Sequence, residues 1–455
     1  MRNLWLTLFT LLAGGPALAA SQAPAQTPAQ APAQSPACEY HIRLQDEAGL
    51  MLAVQVTCSG ERLPVFDRPV DGDLAAALTG FEPGSDGRSL RYGLHLDRLA
   101  ALANTADIAQ RIDRAVISPL STWLADPGLP EATITLTLEA LDGLHYAINL
   151  PQRDDGRLHL RRSDIRFGGY AVFGRFSSAT VPVGNAVIEV VSFPGRAGPP
   201  VPLVQAWIAD SAQAVAAYFG GFPLARTLLL VVPVPDRAGV VFGRVRGGGG
   251  GTILLQLGEQ AQRAALHDDW ILVHEMIHLA APFITGRSAW VMEGMATYLE
   301  PLIRTRAGWR STAQLWQEFV SDMPRGIPAL TVESLDAVSR AGLYWGGATF
   351  MLLADLDIRE RSQNRASLQT CLRAVLRAGG DTTTRWSRER FFATCDAATG
   401  TGTMARLGER YARQASMLDL AALWRDLGIS TGPAGIVFDD NAPLAPLRRA
   451  ITTEG

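Results

Sequence analysis

The sequence predicts an α+β protein of several domains: a β-sandwich-like N-terminal domain, an α/β domain in the middle and a helical lobe towards the C-terminal end. Three observations carry that reading. The chain has 455 residues, enough for two or three domains. From residue 38 to about 200, short β-rich runs alternate with clusters of turn residues. From about 302 to 427, apolar residues recur at helical spacing, with Pro and Gly as punctuation. The composition is that of a soluble globular protein, 47% apolar and 19% charged with a net charge of −3. That balance gives no reason to expect nucleic acid or an acidic surface as partner. Every Lys/Arg position is arginine, which reads as a genomic bias.

The first 20 residues read as a secretory signal. Arg2 supplies a thin basic region, 4–12 a short apolar run, and Ala17-Leu18-Ala19 a small-residue cleavage site. The run is too short to span a bilayer, and no later stretch is apolar enough to do so. The mature chain is therefore expected to be periplasmic or secreted. Residues 21–37 repeat Ala/Pro/Gln units and have almost nothing to bury, as in a disordered linker.

In the N-terminal β-rich domain, 38–200, the strand candidates are 41–44, 50–57, 133–138, 145–150, 170–176 and 186–193. One helical interruption is expected at 96–124, where Ile108, Ile112, Ala115 and Val116 recur at helical spacing. His41, His95, His145 and His159 are scattered, without partners at metal-ligand spacing. The central domain, 201–302, opens with an amphipathic helix at 201–219 and an apolar β-branched strand at 226–234. A loop follows, with Gly247 to Gly251, and then a strand at 252–257. The glycines could admit a close-lying peptide or form a mobile surface loop. No Gly-Lys-Ser/Thr follows, so this is no phosphate loop. The lobe at 303–430 has helix candidates at 312–320, 347–361, 367–378, 387–397 and 403–414. A proline-bearing extension, 431–455, closes the chain. Four cysteines in an exported protein favour disulfides. Of three possible pairings, the local ones, Cys38–Cys58 and Cys371–Cys395, each stay within one domain.

The chemistry is concentrated in His274-Glu275-Met276-Ile277-His278 and Trp290-Val291-Met292-Glu293-Gly294. Histidines four apart on a helix share one face, so both imidazoles can reach one metal ion. Trp270, Ile271, Val273, Ile277 and Leu279 would bury that helix, Asp268 or Asp269 would cap it, and Pro282 stops it. A catalytic zinc takes about three protein ligands and leaves one position open. Glu293, on a second amphipathic stretch from 288 to about 304, is the best candidate for the third. Glu275 stands where the general base stands in H-E-x-x-H enzymes. Glu300, seven residues past Glu293, shares its helical face and could orient a ligand or form a salt bridge. Tyr298 reads as packing.

At these residues the chain resembles the gluzincins, the thermolysin-like metallopeptidases that hold zinc with two histidines and a glutamate. The segment WVMEGMATYLE is similar to the W-x-x-E-G-x-A-x-Y-x-E pattern of the aminopeptidase branch, including the glycyl aminopeptidase family. Tyr344-Trp345-Gly346-Gly347-Ala348 resembles the Tyr-x-x-Gly-Ala helix of the same families, placed here at the opening of an apolar helix. The resemblance covers roughly 201–378. It implies a thermolysin-like α/β zinc domain, one zinc ion on His274, His278 and Glu293, Glu275 as base, and Tyr344 as hydrogen-bond donor to the oxyanion. It also implies that a strand at 252–257 edges the cleft and pairs with substrate backbone. That branch often carries Gly-x-Met-Glu-Asn there, with a glutamate for the substrate's free amine. Gly250-Gly251-Thr252-Ile253-Leu254 has no such acid.

The expected activity is hydrolysis of a peptide or protein by a zinc metallopeptidase. Two other readings keep the same residues: a zinc amidase acting on cell-wall peptides, and an exported binding protein with a structural zinc site. The Glu275 carboxylate argues against the last, since a structural site does not need it.

Overall fold

Alternating burial shapes the first strands. In Ala37–Gln45, Cys38, Tyr40, Ile42 and Leu44 face inward while their neighbours are exposed, the period-two pattern of a sheet with one wet face. The computed structural model describes residues 36–46, 49–60, 62–69, 71–141, 143–284, 286–337 and 340–453. The expected signal segment, 1–20, and all but the last two residues of the expected linker, 21–37, lie outside them.

Six strands form the outermost sheet, in the order Leu78–Pro83, Ser89–His95, Met51–Ser59, Ala37–Gln45, Thr133–Ala140, Leu158–Arg161. Four more form a second sheet: Gln110–Ile112, Ala115–Pro119, Tyr170–Gly174 and His145–Ile148. A third sheet has five strands, ordered Ser177–Val183, Ala186–Ser192, Arg226–Val234, Gly251–Gly258, Val240–Arg246. The four-stranded sheet is a middle layer. Val116, Ala171, Phe173 and Ile148 point into the core shared with the six-stranded sheet. Ala115, Ile117, Tyr170, Val172 and Ala147 point into the core shared with the five-stranded sheet. The opposite face of the five-stranded sheet carries helices. Val190, Leu229, Val231 and Leu255 pack there with Ile208, Val215, Met276 and Ile277. Arg226–Val234 is thus covered on both faces, which is why it reads as a continuous apolar run.

That layering corrects two expectations. The helix expected over 96–124 is helical only at Leu96–Ala103 and Leu120–Trp123. Asn104 ends the first helix in the left-handed region, φ 43°. Ile108, Ile112, Ala115 and Val116 belong to a loop and a hairpin that turns at Asp113, φ 52°. A strand buried on both faces loses its alternation, and its apolar residues then mimic helical spacing. Second, the N-terminal region expected over 38–200 does not keep all its strands. Ala186–Ser192 pairs parallel with Arg226–Val234 and brings Ser177–Val183 with it. Local pattern marks a strand but not the sheet it joins.

Both disulfides are the local ones, Cys38–Cys58 across the first two strands and Cys371–Cys395 between the helices Leu368–Arg377 and Arg388–Thr399. The C-terminal segment is packed rather than loose. A hairpin, Ile429–Gly432 with Gly435–Phe438, leads to the helix Ala445–Thr453. The Arg306 guanidinium donates to the Ile451 carbonyl at 2.6 and 3.1 Å. No helix among the described residues is long and apolar enough to cross a membrane.

The glycine run at 247–251 packs against the chain's own backbone, while Gly247, Gly248 and Gly249 also line the cleft. A Cβ on Gly247 would lie 1.8 Å from the Thr382 carbonyl oxygen, and one on Gly250 would lie 1.9 Å from that of Asn149. The chain's own backbone fills the space. Asn149 fastens this seam, its side-chain amide donating to the carbonyls of Gly251 at 2.7 Å and Arg226 at 3.1 Å.

Candidate metal centre

The histidine helix, Ile271–His278, is apolar on the side that meets the five-stranded sheet, and Leu272, Val273, Met276 and Ile277 are buried there. Asp269 starts it, its Oδ2 accepting the Leu272 N–H at 3.0 Å. The chain then runs through the short strand Phe283–Ile284 into the glutamate helix, Trp290–Arg306. The tyrosine helix, Arg340–Ser362, crosses the glutamate helix where two glycines meet. Tyr344 therefore sits inside its helix, in the second turn, rather than opening it. Gly342, two residues before Tyr344, hides that earlier start, because glycine is a poor helix former.

This packing brings three ligand atoms together. Nε2 of His274 is 3.4 Å from Glu293 Oε2, and Nε2 of His278 is 3.5 Å from the same oxygen. The donor atoms of His274, His278 and Glu293 all lie within 4.8 Å of one another, the one such group among the described residues. Burial would push Glu293 up, but hydrogen bonds from both histidines outweigh it and hold the carboxyl well below the usual range. Burial pushes His274 down, so it stays neutral and able to coordinate. His278 is raised: burial opposes its charge, but the hydrogen bond and negative charge of Glu293, with that of Glu275, prevail. Two imidazole nitrogens and an ionised carboxylate on two helices are the donor set of a catalytic zinc site.

Glu275 lies next to this group and is 8% exposed. Burial pushes its carboxyl up to about 7, opposed by His278 and by the Val245 N–H that donates to it. Val245 belongs to Val240–Arg246, the outer strand of the five-stranded sheet on this side. Expected as loop, that segment is the true edge. Gly251–Gly258, expected at the edge, lies between it and Arg226–Val234. The alternation of Val240, Phe242 and Arg244 with smaller residues is the signal that could have found it; the adjoining glycines hid it. A Cβ on Gly243 would lie 2.6 Å from Glu275 Cγ, so the edge strand runs directly over this carboxylate.

Tyr344 closes the group from the other side, its ring centroid 6.4 Å from that of His274. Glu300 does not reach the ligands. It is buried against Arg304 at 2.9 Å, and Arg304 in turn donates to the Asp268 carbonyl just before the histidine helix. Tyr298 is fully buried and donates to Asp355 at 2.9 Å. A cleft of about 1150 Å³ lies over the centre. The edge strand and Tyr344 line it, and Phe167, Phe283 and Arg385 form a wall that sequence reasoning missed, because nothing local sets them apart.

No protein-family model matches the chain, and no curated protein is similar to it in sequence. Its fold has solved counterparts. An aminopeptidase N family protein from Idiomarina loihiensis superposes with a TM-score of 0.62 at 13% identity, over 86% of this chain and 78% of that one. An M1 zinc metallopeptidase from Deinococcus radiodurans, in a mutant form bound to a Tyr-Ser-Ala substrate, gives 0.51 at 14% identity, over 85% and 95%. A two-domain M1 zinc metallopeptidase mutant bound to L-arginine gives 0.51 at 13%, over 85% and 95%. The chain thus shares the mixed α/β fold of these solved structures.

Proposed function

We propose that this chain is an exported zinc metallopeptidase that hydrolyses peptide bonds, with one zinc ion held by His274, His278 and Glu293. The observation that carries the reading is the convergence of those three donors beside a buried carboxylate, under the edge strand of a gluzincin fold. Bound zinc would supply a Lewis acid that acidifies water and polarises a carbonyl. Glu275 takes a proton from the attacking water and returns it to the leaving amine. Its raised affinity for a proton suits a group that must both accept and release one near neutral pH. The Tyr344 hydroxyl donates to the oxyanion, a neutral donor aimed at developing charge. The edge strand offers backbone N–H and C=O groups to an extended peptide. The two disulfides suit an oxidising compartment, in keeping with the signal-like first 20 residues.

The test is elemental analysis followed by digestion of a mixed peptide library, with and without chelator, read by mass spectrometry. Glu275→Gln is expected to keep its zinc and to lose about 10²–10⁴ in kcat. Normal turnover by that variant would overturn the assignment of the base. Bound zinc with no hydrolysis by the parent protein would overturn the enzyme reading.

A further inference from the structure

The cleft over the metal centre is cationic, although the chain as a whole is slightly acidic. Seven arginines line it, against Asp164 and the two carboxylates of the centre, Glu275 and Glu293. Arg244 and Arg246 share Asp107 as partner. Arg153, Arg166, Arg385 and Arg390 have no carboxylate within 4.0 Å among the described residues. Asp164 is engaged by its own helix start, where Oδ2 accepts the Arg161 N–H at 2.8 Å, and its charge also acts on Arg385 from beyond 4.0 Å.

Two of these guanidinium groups are held in place. Arg385 lies over the Phe167 ring, 3.1 Å from its centroid, with Phe283 at 5.5 Å on another side. Arg390 lies over Trp386 at 3.8 Å. A guanidinium stacked by its face keeps its N–H edge free for a carboxylate. The segment that bears Arg385 is fixed to the metal centre. The Thr382 N–H donates to the carbonyl of Leu279, the residue after His278, at 3.2 Å. Phe283 pairs with Arg385 in a short parallel ladder, and Ile284 N–H meets the sulfur of Met292, next to Glu293, at 3.2 Å. The Arg385 backbone is thus tied to both ligand-bearing helices.

We propose that the cleft selects peptides bearing Asp or Glu side chains beside the scissile bond, and that Arg385, with Arg166 and Arg390, is the group that recognises them. The inference rests on the peptide-hydrolase reading and names its substrate class. A charge-assisted hydrogen bond from a positioned guanidinium discriminates a carboxylate from its amide by about tenfold to a hundredfold. The preference weakens as salt rises, because the cleft is open to solvent.

The experiment uses a fixed panel of blocked peptide pairs of one mixed sequence, the members of each pair differing only in Glu versus Gln at one position along the chain. The zinc-loaded protein is expected to show about tenfold or greater preference in kcat/KM for the Glu peptide. Arg385→Gln is expected to bring that ratio to within about threefold of unity, with zinc content and melting temperature checked as controls. Binding of the same peptides to Glu275→Gln is read by fluorescence anisotropy. Equal cleavage and equal binding of the two peptides overturn the charge selection and leave the hydrolase reading standing. Tighter binding of the Glu peptide with no cleavage by the parent protein supports the selection and overturns the hydrolase reading. A parent-like ratio in Arg385→Gln overturns the assignment to Arg385.

Discussion

Gly294 tests whether a backbone contact sets the position of Glu293, the proposed third ligand. A Cβ there would lie 2.3 Å from Cα and from C of Gly347 on the tyrosine helix, and 2.7 Å from its carbonyl oxygen. Carbon atoms settle at about 3.5 Å or more, so Gly294→Ala must drive the two helices apart by roughly 1.2 Å at the crossing. No side chain can yield, because every atom met is backbone, and the overpacking cost should approach about 3 kcal/mol. Alanine's better helix propensity offsets about 1 kcal/mol of this, leaving a net loss of about 2 kcal/mol. Urea unfolding of the zinc-free protein measures that figure. The same movement displaces Glu293, one residue away, by several times the roughly 0.2 Å that a ligand tolerates. Zinc affinity should fall by about tenfold or more, read by competition with a chromophoric chelator. The reasoning fails if Gly294→Ala is more stable than the parent, as propensity alone requires, and binds zinc as tightly. Gly347→Ala repeats the test from the opposite helix, where a Cβ would lie 2.5 Å from the Trp290 carbonyl oxygen.

Two further predictions concern charge. His278 is held protonated above its ordinary pKa by Glu293 and Glu275, and its Nε2 must lose that proton to coordinate a metal. Below the raised pKa, each unit fall in pH should therefore weaken zinc binding by about tenfold, and calorimetry in buffers of different ionisation enthalpy should show proton release; a pH-independent affinity below about pH 6 contradicts this titration. Glu300 and Arg304 form a buried pair with side chains 6% and 7% exposed, so Glu300→Met alone strands the Arg304 guanidinium and should cost about 3–5 kcal/mol, whereas Glu300→Met with Arg304→Met should cost markedly less. A double-mutant cycle by urea unfolding decides, and additivity would show that the pair is not coupled.

What was legible in the sequence follows from how locally each feature is encoded. The histidine helix and Glu293 were readable because helical spacing alone places His274 and His278 on one face, and a short connection forces the second helix alongside the first. Arg226–Val234 was readable because burial on both faces leaves an unbroken apolar run. The same double burial made Ala115–Pro119 illegible, since without alternation nothing separated it from a helix. The edge strand failed for the opposite reason. Val240–Arg246 has only one side in the ladder, carries a glycine at the point where it passes Glu275, and runs into Gly247, which leaves room for the Thr382 carbonyl, about 135 positions away. A contact between segments so distant leaves no trace in local pattern.

The cleft's charge was illegible on different grounds. Net charge sums over the whole surface, and here 41 basic and 44 acidic residues nearly cancel. That sum gave no reason to expect an acidic surface as partner. It is a poor guide to a concave site, where field lines are focused by low-dielectric walls and a few groups dominate. Arg153, Arg166, Arg385 and Arg390 come from two stretches more than 200 positions apart. Folding therefore gathers in one cleft cations that the sequence lists among balancing acids. Stacking on Phe167 and Trp386 then orients two of these cations, which is a selection for direction as well as for sign. A surface guanidinium meeting a carboxylate in water contributes little; the same group stacked and tied to the ligand helices can discriminate, because the ordering that a mobile side chain would still have to undergo is already complete.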